Sequence, residues 1–310
     1  MSDDLSAAQA LTPAPAPARA ETPLRRVVRE YGRSPVAVGA FALLLVIVLL
    51  ALVAPVIAPQ NPYDLTRIDI LDGRLPPGSP TQDGGRFVLG TDDQGRDMLS
   101  AILYGLRISL SVGVLSALAA AAIGSSLGLL AGYVGGRTET VVMRLVDLQL
   151  SFPAILVALM ILSVLGKGVL NVVIALIIVE WAGYARTARG STLVERSREY
   201  VEAARSLAIP RWRILFRHLL PNVLPPLIVI ATIQVARAIA LEATLSFLGL
   251  GVPVTEPSLG LLIANGYQYM LSGQFWISFY PGVALVVVVV AINLVGDRLR
   301  DVLNPRESTS

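Results

Sequence analysis

The chain has 310 residues, of which 54% are hydrophobic and only 15% are charged. Because a soluble domain carries roughly 25% charged residues, this composition excludes an ordinary soluble domain and indicates a lipid environment. There is no cysteine and a single histidine, His218, which excludes disulfides, thiol catalysis and any metal site built from thiolates or several imidazoles. The net charge is +3, but the arginines lie between apolar runs, so we interpret them as determinants of membrane topology and not as a nucleic-acid surface.

Residues 1–33 are rich in alanine and proline and end in a basic cluster, Arg25, Arg26, Arg29 and Arg33. This composition predicts a disordered cytoplasmic tail with a basic anchor. A cleaved signal peptide is the competing interpretation, but the uncharged run that follows, 36–58, is longer than the apolar core of a signal peptide. We therefore predict a first spanning helix that starts with Ser34 as N-cap and Pro35 in the first turn.

Residues 59–106 carry five prolines and charges of both signs, which predicts a loop outside the bilayer. Thr91 and Gln94 have capping-box spacing, so we predict a short interfacial helix after them that leads into the second span, an uncharged run at 108–136. Three aspartates lie close together in this loop: Asp92, Asp93 and Asp97. A cation site is one interpretation of them, but we interpret them as solvated loop charges and helix N-terminal carboxylates.

Four more apolar stretches, at about 141–165, 168–187, 222–250 and 276–296, bring the predicted number of spans to six. The fold class is therefore an all-α polytopic membrane protein, with a transmembrane domain at 34–306 and a short tail at 307–310. An even number of spans places both termini on one side. The eight arginines from Arg186 to Arg217 predict that this side is the cytoplasm, because the gap at 251–275 on the other side has no lysine or arginine.

The predicted cytoplasmic loop at 188–221 has the most informative pattern. Small and apolar residues share one helical face, which allows another protein to approach closely; they are Ala203, Ala204, Leu207 and Ala208. Ile209 precedes Pro210, so the helix should end there and a second helix should begin. The pattern predicts a helix-turn-helix beside the membrane. Taken alone, it also fits a basic amphipathic connector that lies on anionic lipid.

This loop resembles the EAA loop of binding-protein-dependent ABC importer permeases. Glu202, Ala203 and Ala204 match the triplet that gives the loop its name, and Leu220-Pro221 matches its closing Leu-Pro. The resemblance implies a loop that docks on an ATPase subunit, with contacts from Glu202, Ala203, Ala204, Leu207, Ala208, Leu220 and Pro221. The family usually has glycine where this chain has Ala208. Since a left-handed conformation costs a non-glycine residue about 1–2 kcal/mol, we predict that Ile209-Pro210 makes the bend instead.

Three other segments resemble the dipeptide, oligopeptide and nickel branch of that family, specifically its C-type subunit: 89–110, 242–251 and 293–306. The resemblance covers nearly all of 36–306 and implies the architecture of a type I ABC importer permease in the bacterial cytoplasmic membrane. It implies import of di- or oligopeptides by alternating access, with a second permease subunit, two ATPase subunits and an extracytoplasmic solute-binding protein as partners. The solute stays open between a dipeptide, a longer peptide, a nickel chelate, an opine and a glutathione-like compound.

The sequence has no Gly-x-x-x-x-Gly-Lys-[Ser/Thr] phosphate-binding motif. It also offers no set of nucleophile, base and orienting group, so we predict that the chain is not an enzyme and has no cofactor or metal. ATP and magnesium are then expected on partner ATPases. Two rivals from other classes are an ion-gradient-driven secondary transporter, which usually shows internal repeats, and a membrane scaffold without transport activity.

Charged residues inside the predicted spans cost about 2.5–3.5 kcal/mol each on insertion scales, so they tend to line a cavity or find a partner. Arg144 and Asp147 lie three residues apart, which suits a local pair. Arg237 and Glu242 lie five apart, and our hypothesis is that they face the translocation path, where Arg237 attracts a peptide carboxylate. The alternative is a buried ion pair that holds helices or subunits together. Gly124, Gly128 and Gly132 have small-xxx-small spacing, which predicts packing against a partner subunit.

Overall fold

The computed structural model describes residues 23–303 except Leu65, Arg67, Gln82 and Asp83. Every regular element in this part is helical, and the only extended pairings described are two isolated bridges, Pro80 with Arg86 and Thr91 with Asp97. The helices are α1 (Pro23–Tyr31), α2 (Pro35–Ile57), α3 (Met98–Val134), α4 (Gly136–Leu150), α5 (Ala154–Leu165), α6 (Val169–Arg196), α7 (Glu199–Ser206), α8 (Arg211–Arg213), α9 (Leu220–Phe247), α10 (Leu259–Tyr267) and α11 (Trp276–Leu303). A π-helical segment, Ile214–Leu219, joins α8 to α9, and short 3₁₀ turns lie at Ile70–Asp72 and Met270–Ser272.

Five helices in the described residues are long and apolar enough to cross a membrane, and the bent pair of α4 and α5 makes a sixth candidate span. The prediction of an all-α protein with about six spans is therefore confirmed. Ser34 caps α2 as predicted, because its Oγ accepts a hydrogen bond from the Ala37 N–H at 3.4 Å.

The N-terminal tail is only partly described, and residues 1–22 lie outside that part, as do 304–310 at the other end. Residues 23–31, which we predicted to be disordered, instead form α1. Arg298, near the end of α11, donates a hydrogen bond from Nη2 to the Glu30 carbonyl oxygen at 2.6 Å. This contact fixes α1 beside the last span.

The second span begins earlier than its uncharged run suggests. We predicted a separate interfacial helix before it, capped at Thr91 and Gln94, but α3 is one continuous helix from Met98. Its N-cap is Asp97, whose Oδ2 accepts from the Ser100 N–H at 2.8 Å and from the Ser100 hydroxyl at 2.5 Å. A direct side-chain cap at Asp97 allows the helix to run without a break, so the outer loop ends at residue 97.

The third span, predicted as one helix at 141–165, is broken in its middle. The axes of α4 and α5 meet at 90° across residues 151–153. Pro153 has no N–H to donate and disfavours helical geometry at Phe152, which accounts for a break at this point. At the end of α4, the Asp147 carbonyl accepts hydrogen bonds from both the Ser151 N–H at 3.0 Å and the Ser151 hydroxyl at 2.6 Å.

The glycine stripe of α3 packs within the chain and not against a partner subunit, contrary to our prediction. A Cβ on Gly124 or Gly128 would collide with the carbonyl oxygens of Trp181 and Ala185 on α6. The absence of side chains thus allows the α3 and α6 backbones to touch. This pair forms the centre of the bundle, with α9 packed against both helices.

The long loop before α3 and α10 form an ordered cap at one end of the bundle. The Trp276 indole N–H donates to the Thr91 carbonyl at 3.2 Å, which ties the loop to the start of α11. Arg96 and Asp92 form a buried ion pair at 2.6 Å between Nε and Oδ2. Asp92 is therefore not a solvated charge as we predicted, whereas Asp97 is the helix N-terminal carboxylate that we predicted.

Candidate functional site

Two regions could carry function: the turn formed by α7, α8 and the π-helical segment, and a cavity in the middle of the membrane domain. On the turn, α7 has an inner and an outer face. Val201 and Ala204 are buried in a cluster with Leu129 of α3 and Leu219 of the π-helical segment. Ala204 is only 4% exposed, so it supports the turn from behind and does not share an outer face with its neighbours as we predicted.

Glu202 and Ala203 of α7, and Leu207, which is its C-cap residue, are exposed, and we call these three residues the outer face of α7. Leu207 is 75% exposed although it is a large apolar residue. Trp212 and Phe216, on the second half of the turn, are also exposed. Exposed large apolar side chains on a packed support are typical of a protein interaction surface.

The bend of the turn depends on Ala208 and not on Ile209-Pro210 alone, so our prediction for the bend was wrong. Ala208 has a φ of 52°, in the left-handed region. Its N–H donates to the Arg205 carbonyl at 2.9 Å and the Ile209 N–H donates to the Ala204 carbonyl at 3.1 Å. These two bonds make a Schellman motif, in which an alanine occupies the position usually taken by glycine.

The second half of the turn begins after Pro210 and widens into the π-helical segment. Leu220 is half-buried against the cluster behind α7, and Pro221 lies exposed in the first turn of α9. The side chain of Asn222 donates from Nδ2 to the His218 carbonyl at 2.7 Å, and to the Tyr200 hydroxyl at 3.1 Å. Asn222 therefore links the start of α9 to α7.

Two further contacts hold α7 against the ends of the spans. The Tyr200 hydroxyl donates to Glu195 Oε2 at the end of α6 at 2.8 Å. The Arg205 guanidinium lies over the Tyr133 ring at the end of α3, 5.7 Å from its centroid. α7 is therefore connected to the ends of α3, α6 and α9.

The second region is a cavity of about 200 Å³ where α6 and α9 face the bend between α4 and α5. Its polar lining residues are Gln149, Glu180, Gln234 and Arg237. Glu180 lies roughly three helical turns from the start of α6, and Arg237 lies roughly three turns from the end of α9, so the cavity lies near the middle of these two helices. The structure thus places Arg237 on a cavity wall, as our hypothesis requires.

Glu242, the other residue that we predicted for the translocation path, lies elsewhere. It is fully buried, and its carboxylate accepts hydrogen bonds from the Ser109 hydroxyl at 2.9 Å and from the Ser246 hydroxyl at 2.7 Å. These contacts join α9 to α3. In this conformation Glu242 faces neither the cavity nor the surface, and its contacts are those of a structural residue.

The local pair that we predicted between Arg144 and Asp147 was also wrong. Asp147 pairs with Arg186 of α6 at 2.7 Å and not with Arg144 on its own helix. Glu139 forms a second ion pair with Arg189, again between α4 and α6. These charges therefore fasten α4 to α6. Sequence spacing can predict pairs along one helix, but it carries no signal for pairs between helices.

Two family models match the chain. Residues 124–309 match the inner membrane component of binding-protein-dependent transport systems. The chain belongs to this family. Residues 22–77 match the N-terminal transmembrane domain of oligopeptide transport permease C, which agrees with the predicted C-type subunit. The resemblance drawn from the EAA loop and the three other segments is confirmed.

Relatives match the permease over almost its whole length. A di/tripeptide transport system permease protein, DppC, of Pseudomonas aeruginosa is 39% identical over 92% of this chain and 93% of its own. A glutathione transport system permease protein, GsiD, of Pectobacterium atrosepticum is 37% identical over 92% of both chains.

A chain in a solved structure of the MetNI methionine ABC transporter has a similar fold, with a TM-score of 0.55 at 23% identity. The match covers 67% of the permease and 98% of that chain.

The permease is thus a multi-pass inner membrane subunit of an ABC importer. Members of this family work with ATPase and permease subunits and with a binding protein, so hydrolysis of ATP belongs to other chains of the complex. The alternative prediction of an ion-gradient-driven transporter is not favoured.

Proposed function

We propose that the permease imports short peptides by alternating access, with both termini in the cytoplasm. It would form a pore with a second permease subunit, receive peptide from an extracytoplasmic solute-binding protein, and be driven by two ATPase subunits that bind ATP and magnesium. Support for the peptide comes from the relatives, two of which are described as carrying di- and tripeptides and glutathione, which is itself a tripeptide.

The observation that carries the coupling proposal is the exposed Leu207 on a turn that is braced from behind. Val201 and Ala204 anchor α7 to the ends of three spans, while Leu207, Glu202 and Ala203 face outward. An ATPase that moved this outer face would move the span ends with it. We therefore assign ATPase docking to Glu202, Ala203, Leu207 and Ala208, with Ala204, Leu220 and Pro221 as the support of the turn.

The test is co-purification of the solubilised permease from its native membrane. Leu207→Arg replaces an exposed apolar side chain with a charge and leaves the buried support intact. Leu271→Arg is the matched control, because Leu271 lies fully exposed in the segment after α10, at the opposite ends of the spans. We expect both variants to retain the second permease subunit, and only Leu207→Arg to lose the ATPase. Equal recovery of the ATPase with both variants would contradict docking on α7.

A further inference from the structure

The mid-membrane cavity contains an acidic side chain that makes no hydrogen bond. Glu180 is 3% exposed, and neither of its carboxylate oxygens accepts a hydrogen bond from the described residues. Arg237 lines the same cavity and attracts Glu180 electrostatically, but no hydrogen-bonded ion pair joins the two side chains. A carboxylate left without a partner inside a membrane is unfavourable, so such a residue marks a functional site by default.

Other parts of the cavity wall suit a negative charge. Arg237 contributes a guanidinium, and Pro153 and Ala154 bring the N-terminal end of α5 to the cavity. That helix has no side-chain cap at its start. The positive end of a helix favours anions, and a guanidinium binds carboxylates through two parallel hydrogen bonds. The cavity therefore offers an acceptor for a cation and donors for an anion.

We propose that this cavity is a transient binding site for zwitterionic solutes, in which Glu180 accepts the α-ammonium group and Arg237 binds the carboxylate. The inference rests on the proposed function and specifies its substrate as a solute with both charged ends free. The volume of about 200 Å³ is below the 300–1,000 Å³ typical of pockets for drug-sized ligands, so it suits a short solute. Its place at half depth and at the break between α4 and α5 fits a site that both sides of the membrane reach in turn.

A mutual ion pair in another conformation is the competing explanation, and the two make different predictions for a double variant. Glu180→Gln, Arg237→Gln and the double variant are introduced into the complete importer, which is reconstituted in proteoliposomes with saturating binding protein. Initial rates of ATP-driven uptake are measured with radiolabelled alanyl-alanine and with its C-terminal amide. Arg144→Gln is the control for the loss of an arginine, since Arg144 is exposed on α4 and does not line the cavity.

We expect each single variant to assemble and hydrolyse ATP, but to import alanyl-alanine about tenfold or more slowly, the effect of losing a hydrogen bond to a charged group. The double variant should not recover. Arg237→Gln should slow the import of the free dipeptide more than that of the amide. Because each variant is compared with wild type on the same peptide, the preference of the binding protein for one peptide cancels.

Recovery of wild-type uptake in the double variant would show that the two residues only neutralise each other. Wild-type rates of dipeptide uptake in both single variants would also overturn the proposed binding site. Neither result would affect the proposed function, because wild-type importer would still take up the dipeptide. Failure of wild-type importer itself to take up any peptide would instead overturn the proposed function.

Discussion

Ala208 closes the turn after α7 in a conformation that alanine rarely adopts. Its φ of 52° costs a residue with a Cβ about 1–2 kcal/mol, and the Schellman bonds of the motif have to compensate for this. The sequence showed alanine where the family usually has glycine, but it did not show which backbone conformation this alanine adopts. In the structure, Ala208 adopts the left-handed conformation that glycine favours.

A glycine at this position should therefore stabilise the permease. We expect Ala208→Gly to raise the thermal midpoint of the purified permease, by an amount that corresponds to at most about 1 kcal/mol, because the lower strain is partly offset by the greater freedom of glycine in the unfolded chain. Ala203→Gly, an exposed helical position on α7, is the matched control and should lower the midpoint. A lower midpoint for Ala208→Gly would show that the left-handed conformation is not strained.

The buried carboxyl of Asp93 should make the stability of the folded permease depend on pH. Burial, together with the negative charge of Asp92, raises the pKa of the Asp93 carboxyl above its ordinary value. The folded state therefore favours the protonated form, and stability is lost as the pH rises above the unfolded pKa of about 3.9 and through the higher pKa of the folded state.

Asp93→Asn removes this ionisation. We expect the variant to have a higher thermal midpoint than wild type at pH 7, and the difference to disappear near pH 3, where the carboxyl is protonated in both states. Thermal unfolding of the purified permease at the two pH values measures this difference. An equal difference at both values would attribute the effect to packing and not to charge.

At the scale of the elements, the contact between α3 and α6 depends on glycines that only the structure assigned to the correct neighbour. The spacing of Gly124, Gly128 and Gly132 predicted close helix packing, which is correct, but spacing alone cannot say which helix lies opposite. The same limit applies to Asp147, whose partner lies on another helix. Local signals predicted the spans, the Ser34 cap and the turn, whereas contacts between helices had to come from the fold.

Two positions in the spans test this packing with the same substitution. Gly128→Ala should lower the thermal midpoint, by an amount that corresponds to about 1–3 kcal/mol, because the new methyl group collides with the Ala185 carbonyl. Gly39→Ala on α2 places its methyl group in open space, with no atom within 4 Å, and should leave the midpoint unchanged or slightly higher. Similar effects at both positions would contradict the role of the α3 glycines in packing.

Neither α10 nor the break between α4 and α5 was predicted from the sequence. Residues 251–275 were identified only as an outer gap without basic residues, although Ser258 caps α10 through its Oγ. The 90° break was not predicted because residues 141–165 are, on average, apolar enough to form one spanning helix. A proline inside such a stretch also occurs in continuous transmembrane helices, so Pro153 alone did not indicate a break. The cavity of Glu180 and Arg237 lies at this break, so its location could not be predicted.

At the scale of the whole molecule, the proposed topology places Leu207 in the cytoplasm and Leu271 outside. The chain has no cysteine, so a single introduced cysteine is an unambiguous reporter. Leu271→Cys should react with a membrane-impermeant maleimide on intact cells or spheroplasts, and Leu207→Cys only after the membrane is permeabilised. Both side chains are well exposed, so a lack of reaction would not be due to burial. The reverse pattern would contradict cytoplasmic termini.

The most direct measurement of the central claim is uptake of a radiolabelled dipeptide by proteoliposomes that contain the permease purified with its native partners. With the binding protein and ATP supplied on their respective sides, we expect uptake that stops when ATP is omitted and that is lost in Leu207→Arg but not in Leu271→Arg. Uptake driven by a proton or sodium gradient without ATP would contradict the account.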